Sequence, residues 1–252
     1  MISLITRVQY PQLYSRMAES AKRLSSTAIE FVSEIDDVGQ PLLCTSYNKL
    51  GGLAKGDILL FVHDDAEFLE DGWDCKLIEA MQDSEIVGVV GTDKYIGGKL
   101  FSSGFPHIIG KYVTTMDGHK VVKIGSDSKR TKVKAVDHFF MAVSRSYFQK
   151  EKFDVAFDGL FFSDIDYCLR SDKVYVADIL MGHYKPEDLR GKYPEDMKPI
   201  EHFSKAFHEK HGLNQNVPDN PQNCAMVDMQ TYSDMGQDKI FTEYSKKFKC
   251  KS

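Results

Sequence analysis

The chain has 252 residues, 42% of them hydrophobic, enough for one large domain or two small ones with a core of their own. Its formal charge of −5 at pH 7 removes the electrostatic case for a general binder of nucleic acid or anionic membranes. With 27% charged and 12% aromatic residues, it is not the composition of an intrinsically disordered chain.

Ile2–Val8 reads as a strand, and Pro11 then opens a helix in which Leu13, Met17, Ala21 and Leu24 recur at three- or four-residue spacing. Ala28–Ile35 is a second strand, ending in the acidic group Glu34, Asp36 and Asp37. Pro41–Lys55 reads as a helix weakened by Gly51 and Gly52. Asp57–Val62 is apolar on both faces and fits a central parallel strand. Trp73, Leu77, Ile78 and Met81 then share a helical face, and Glu85–Val90 is another buried strand. This alternation predicts a parallel α/β sheet over the first 90 residues or so. Gly91–Lys132 reads as loops and hairpins, Val133–Ser144 and Lys173–Leu180 as further strands, and Ile200–His211 as a helix before a polar tail. Ligands of open α/β sheets lie beyond the carboxyl ends of the strands, so function is expected after Val8, Ile35, Val62 and Leu180.

The longest strongly apolar run of interest, Ile58–Val62, is far short of the roughly 20 residues that span a bilayer. The N-terminus lacks a signal-peptide core. Five scattered cysteines (Cys44, Cys75, Cys168, Cys224 and Cys250) with no CxxC pair suit free thiols in a reducing compartment. The expectation is a soluble cytoplasmic protein without a transmembrane segment.

His63, Asp64 and Asp65 follow the buried strand, with Glu67 close behind. Adjacent carboxylates at a sheet rim suit a divalent cation bridging a diphosphate; the other reading is capping of a helix that begins near Glu70. Asp164 and Asp166 lie in aromatic sequence, a setting that raises carboxylate basicity for general-base work. Their alternative is structural, with Asp164 in a first helical turn and Asp166 paired to Arg170 at i,i+4. His183 follows the last strand on the side expected for Asp65, and imidazole with carboxylate favours Mn²⁺ over Mg²⁺. There is no GxGxxG, no complete P-loop, no zincin spacing and no GxSxG. Tyr184–Met197, bearing Lys185, Arg190 and Lys192, reads either as a lid over a diphosphate or as a solvated loop.

Ser46-Tyr47-Asn48-Lys49 and the run Leu53-Ala54-Lys55-Gly56-Asp57 through Val62-His63-Asp64-Asp65 resemble the approach to the DxD motif of GT-A glycosyltransferases, family 2-like enzymes above all. Val136-Asp137-His138-Phe139-Phe140-Met141-Ala142, then Phe153-Asp154 and Asp164-Ile165-Asp166 through Arg170, look like that family's acceptor-side block. Ala177-Asp178-Ile179-Leu180 and His183 are similar to its closing strand and histidine.

The resemblance, from about Ile2 to His183, implies an α/β GT-A (Rossmann-like) domain over residues 1–190. Its mostly parallel central sheet is flanked by helices, with a nucleotide part (1–90) and an acceptor and metal part (91–190). Residues 191–252 would be a helical or irregular extension packed on the same domain. By resemblance, Asp65 ligates Mn²⁺ or Mg²⁺, with Mn²⁺ preferred, helped by His183. His63 and Asp64 face the ribose or diphosphate. Glu34 and Asp36 lie near base and ribose, with Thr6 and Arg7 lining the same pocket. Asp164 is the base that deprotonates an acceptor hydroxyl, with Asp166 as second choice or support. The implied reaction moves a sugar, with inversion, from a nucleoside-diphosphate sugar (UDP being the commonest carrier) to a glycan or other hydroxyl. The chain departs from the family pattern at His63, at His138 in place of a glycine, and at Ser163 in place of a glutamate. Two other classes remain open. A sugar nucleotidyltransferase would carry a Gly-rich basic loop where Thr6-Arg7-Val8-Gln9-Tyr10 stands, and a non-catalytic carbohydrate or nucleotide binder would hold donor without turnover.

Overall fold

The computed structural model describes residues 1–36, 42–95, 97, 100–103, 107–116, 120–125, 129–159, 162–183 and 200–213. The chain begins β1 (Ile2–Val8), α1 (Pro11–Leu24), β2 (Ile29–Ile35), α2 (Leu43–Leu53), β3 (Ile58–Val62), β4 (Ala66–Phe68) and α3 (Trp73–Met81). It continues through β5 (Ile86–Gly88), β6 (Val90–Thr92), a 3₁₀ turn at Leu100–Ser103, and the hairpin β7 (Ile108–Met116) and β8 (Lys120–Gly125). Then come β9 (Thr131–Lys132), β10 (Ala135–Val136), β11 (Phe140–Ser144), α4 (Arg145–Lys150), α5 (Ser163–Leu169), β12 (Val174–Val176), β13 (Met181–His183) and α6 (Ile200–His211). The lid reading of Tyr184–Met197, the acid Asp37 and the tail beyond residue 213 lie outside the described residues.

The main sheet has seven strands in the order β2-β1-β3-β11-β5-β12-β9. β1 runs parallel to β2 and β3, and β5 parallel to β12. Between β3 and β5 lies β11, antiparallel to both, so the sheet is mixed rather than parallel throughout. A second sheet, β10-β6-β7-β13-β4 with β8 paired to β7, lies beyond the ends of the first. Two runs that read as single strands are each shared between the sheets: Glu85–Val90 gives β5 and β6, and Val133–Ser144 gives β10 and β11. Glycine makes the first hand-over possible. A Cβ at Gly88 would stand 2.5 Å from Val136 Cβ, and at Gly110, which holds φ +86°, 2.1 Å from the Val89 carbonyl.

β3 is buried along its whole length and sends alternate residues to opposite cores. Leu59 and Phe61 join Ile5, Tyr47, Phe148, Phe153 and Phe157 on the α2 side. Ile58, Leu60 and Val62 join Ile2, Leu4, Met17, Trp73 and Phe140 on the α1 side. Each such large side chain contributes about 1.5–3 kcal/mol through burial. On α3, Trp73, Leu77 and Met81 face this core and Trp73 Nε1 donates to the Ala21 carbonyl at 3.1 Å. Ile78, expected on the same face, is 39% exposed, because one residue of helix rotates it about 100° away from Leu77. α6 packs Phe203 and Phe207 into the α2-side core. No helix among the described residues is long and apolar enough to cross a membrane.

Candidate functional site

β3 and β4 are joined by the turn His63-Asp64-Asp65-Ala66, closed by the Ala66 N–H donating to the His63 carbonyl at 3.3 Å. The turn sends its two carboxylates in different directions. Asp64 Oδ2 accepts from the backbone N–H groups of Gln9 (2.7 Å) and Tyr10 (2.6 Å), fastening the end of β1 and the start of α1. It therefore does not cap a helix near Glu70; the helix beyond the turn, α3, begins at Trp73 after Gly72. Burial pushes the Asp64 carboxyl up to about 6, with Asp65 beside it adding to the push and the two N–H groups opposing it.

Asp65 Oδ1 lies 3.2 Å from His183 Nε2 and 3.7 Å from His63 Nδ1. The cause is register: β13 runs antiparallel to β4 with His183 opposite Ala66, which sets the histidine alongside the turn. One ligand atom from each of His63, Asp65 and His183 can be chosen so that all lie within 4.8 Å of one another. Two imidazoles and a carboxylate so placed could hold a metal ion, and such a donor set suits divalent transition metals. His183 is held flat on Phe139, rings 4.6 Å apart and 5° from parallel. Burial alone would lower its pKa, but the facing Asp65 carboxylate outweighs that and raises it.

The residues expected around the nucleotide divide by strand alternation. Arg7 forms an ion pair with Asp36 at 2.8 Å, and Glu34, opposite Arg7 across the β1–β2 ladder, pairs with Lys49 of α2 at 2.5 Å. Burial would raise the Glu34 pKa, but Lys49 and Ser46 more than offset it and hold the carboxyl below its ordinary range. Arg7, Glu34 and Asp36 thus share the α2 side. Thr6 does not join them: one residue along the strand it falls on the face of Ile2 and Leu4, fully buried, with Oγ1 lacking a hydrogen-bond partner among the described residues.

The acceptor-side residues come to the same rim from the β10–β11 junction and from α5. The His63 N–H donates to the Phe139 carbonyl at 3.1 Å, which draws Asp137-His138-Phe139 beside the turn and sets the His63 and His138 rings 4.6 Å apart. Burial pushes the Asp137 carboxyl up, only partly countered by His138. α5 is entered through Phe162 at φ 69°, a left-handed conformation that costs a non-glycine residue about 1–2 kcal/mol. The Phe162 ring is held by stacking on Phe207 of α6, 4.6 Å away. Asp164, in the first turn, has Oδ1 accepting from the Ile165 N–H (2.8 Å) and Oδ2 lying 3.3 Å from His138 Nδ1. One imidazole therefore separates this carboxylate from the His63–Asp65–His183 group. Asp166 points into the protein. Its side chain is fully buried against Arg170 (3.1 Å), Lys210 (2.6 Å) and His211 (2.9 Å).

A family model described as a glycosyltransferase-like family matches residues 3–184. The chain belongs to the glycosyltransferase-like family. Its fold is that of GT-A glycosyltransferases. It is similar to a crystal structure of GalNAc-T7 with UDP, GalNAc and Mn²⁺, at 11% identity and a TM-score of 0.57, over 82% of this chain and 47% of that one. It is also similar to S. aureus TarS 1–349 in complex with UDP-GlcNAc, at 11% identity and a TM-score of 0.52, over 82% of this chain and 63% of that one. The chain thus spans about half of the first and less than two thirds of the second. No curated protein sequence matches it.

Within this glycosyltransferase-like chain, the geometry regroups the expected site residues. Asp65 and His183 meet, and His63, expected at the nucleotide, stands with them. Asp164 faces the rim, whereas Asp166 is enclosed in the ionic node that the i,i+4 spacing to Arg170 already marked. His138, which stands where the family pattern carries glycine, is the side chain between the two parts of the site. Its signal in the sequence was its bulk at a position where the family carries glycine.

Proposed function

We propose that this chain is a metal-dependent glycosyltransferase that moves a sugar from a nucleoside-diphosphate sugar, UDP being the first carrier to test, to an acceptor hydroxyl with inversion. The observation that carries the reading is the meeting of Asp65 with His183 at 3.2 Å, beside His63 and one imidazole away from Asp164. His63, Asp65 and His183 would hold the cation, Mn²⁺ in preference to Mg²⁺. Such a cation, when bound, offsets the charge that builds on the departing diphosphate. Arg7, Glu34 and Asp36 line the approach from β1 and β2, where the nucleoside is expected. Asp164 takes the proton of the acceptor hydroxyl as its oxygen attacks the anomeric carbon from the side opposite the diphosphate. The new C–O bond forms, the bond to the diphosphate breaks, and the diphosphate leaves with the electron pair. A single displacement of this kind inverts the anomeric centre. Asp166 takes no part in the chemistry.

The test is a panel of UDP-, GDP- and dTDP-sugars by thermal shift with and without Mn²⁺, followed by diphosphate release from whichever donor stabilises the protein. A donor at a hundredfold excess over its Kd stabilises the native state by about 2.7 kcal/mol, which is a rise of several degrees in Tm for a chain of this size. Mn²⁺-dependent stabilisation with turnover supports the reading. Stabilisation without turnover by any donor, water included as acceptor, makes the chain a binder, and no stabilisation overturns the nucleotide site itself.

A further inference from the structure

His138 is 8% exposed and spans the distance between the proposed cation ligands and the proposed base. On one side its ring meets that of His63, 4.6 Å away. On the other its Nδ1 lies 3.3 Å from Asp164 Oδ2 without forming a hydrogen bond, and among the described residues that buried Nδ1 has no hydrogen-bond partner. A buried polar nitrogen in this state is unfavourable, and a rotation of the carboxylate would bring Oδ2 into line with it. Asp164 can make that rotation only about one end, because its Oδ1 is fixed by the Ile165 N–H at 2.8 Å. The carboxylate is thus gripped by backbone at one oxygen and faced by an imidazole at the other. Catalytic hydrogen bonds are often long before substrate binds and shorten in the substrate complex.

We propose that His138 is a positioning residue for Asp164: its Nδ1–H donates to Oδ2 and turns the carboxylate to the angle at which it takes the acceptor's proton. The inference rests on the reading of Asp164 as base. The transferred carbon has to lie between a diphosphate at His63, Asp65 and His183 and an acceptor oxygen at Asp164, and His138 is the side chain that bridges those two positions. It acts on the orientation of the base and leaves the holding of the donor to other residues. The family's glycine at this position has no group to offer, so a chain with His138 has its base orientation set by a side chain.

The experiment uses the full chain, Mn²⁺ and the sugar nucleotide chosen by the thermal-shift panel, with UDP-GlcNAc as first probe and water as acceptor, reading diphosphate release. His138→Ala is expected to lower kcat by about 10²-fold, the scale of a misplaced catalytic group, with donor KM and Mn²⁺ affinity by calorimetry within twofold of wild type. His138→Asn, whose amide nitrogen stands where Nδ1 stood, recovers most of the loss; His138→Gln, which places its amide at Nε2, does not. Asp164→Asn lowers kcat by about 10²–10⁴-fold, and adding His138→Ala to it lowers kcat no further, because residues acting through one another are not additive. His138→Ala within twofold of wild type, or additive on Asp164→Asn, overturns the proposal. Parallel loss of Mn²⁺ or donor affinity overturns it in favour of a place in the cation site. A fully active Asp164→Asn overturns the base assignment first and this inference with it, as does a wild type that turns over no donor. A variant that fails to melt cooperatively is replaced by His138→Asn against His138→Gln, whose difference alone decides the point.

Discussion

Asp166→Asn is the substitution that most sharply separates a structural carboxylate from a catalytic one. The side chain is fully buried, and it meets Arg170 at 3.1 Å, Lys210 at 2.6 Å and His211 at 2.9 Å. Asparagine keeps the volume and removes the charge, leaving cations packed around a neutral amide. Removing one partner of a buried ion pair costs about 3–5 kcal/mol. Here the lower half of that range applies, because Arg170 keeps Glu151 at 2.9 Å and Lys210 keeps Asp154 at 2.7 Å. At 2–4 °C per kcal/mol for a chain of this size, the fall in Tm is on the order of 10 °C. Guanidinium unfolding followed by far-UV circular dichroism is the assay, and the midpoint should drop with the slope unchanged. The folded variant should still bind Mn²⁺ and UDP and retain kcat within a few-fold. A loss below 1 kcal/mol, or normal stability with turnover abolished, would refute the reasoning and return Asp166 to the chemistry.

Two further outcomes follow from packing and linkage. Gly88→Ala puts a Cβ 2.5 Å from Val136 Cβ where the two sheets cross and should cost about 1–3 kcal/mol in the same denaturation assay; an unchanged midpoint would mean that the crossing is not tight. Asp74, buried in the fold, accepts from the Ser26 N–H at 3.0 Å and the Thr27 N–H at 2.6 Å. Burial raises its carboxyl, but these donors outweigh it and hold the pKa below the ordinary value. A depressed folded pKa stabilises above the unfolded pKa, and the gain is lost as pH falls through the folded value. Asp74→Asn should therefore differ most from wild type near neutrality, and the gap in unfolding free energy should close below about pH 4. A gap that is constant or widens with acid would contradict the sign.

The strands and helices were legible in the sequence wherever burial alone decides the pattern. β1 and α6 begin and end where the apolar spacing puts them, and the five apolar residues of β3 announced a strand covered on both faces. Direction was legible for β1, β2 and β3, whose alternation with helices predicts the parallel pairing found, but not for β11. An apolar run such as Phe140–Ser144 reads the same parallel or antiparallel, so the insertion of β11 between β3 and β5 appears only in three dimensions. The site divides in the same way. Asp65 and His183 were picked out as residues following apolar strand-like runs, although His183 proves to be the last residue of β13; their contact depends on the His183–Ala66 register, which no local pattern encodes. Thr6 and Arg7, adjacent in sequence, were expected in one pocket, and strand alternation parts them. The pairing of Asp166 with Arg170 follows from helical spacing, whereas Lys210 and His211 arrive from α6 and could not have been anticipated from the sequence around α5.

The most direct test of the shared ion is pulsed electron paramagnetic resonance on the Mn²⁺ complex of the full chain with UDP. Nitrogen-14 modulation from two imidazoles is predicted, reduced to one in either His63→Ala or His183→Ala and absent in the double variant. A Mn²⁺–UDP complex that shows no imidazole nitrogen in the wild type would contradict the account.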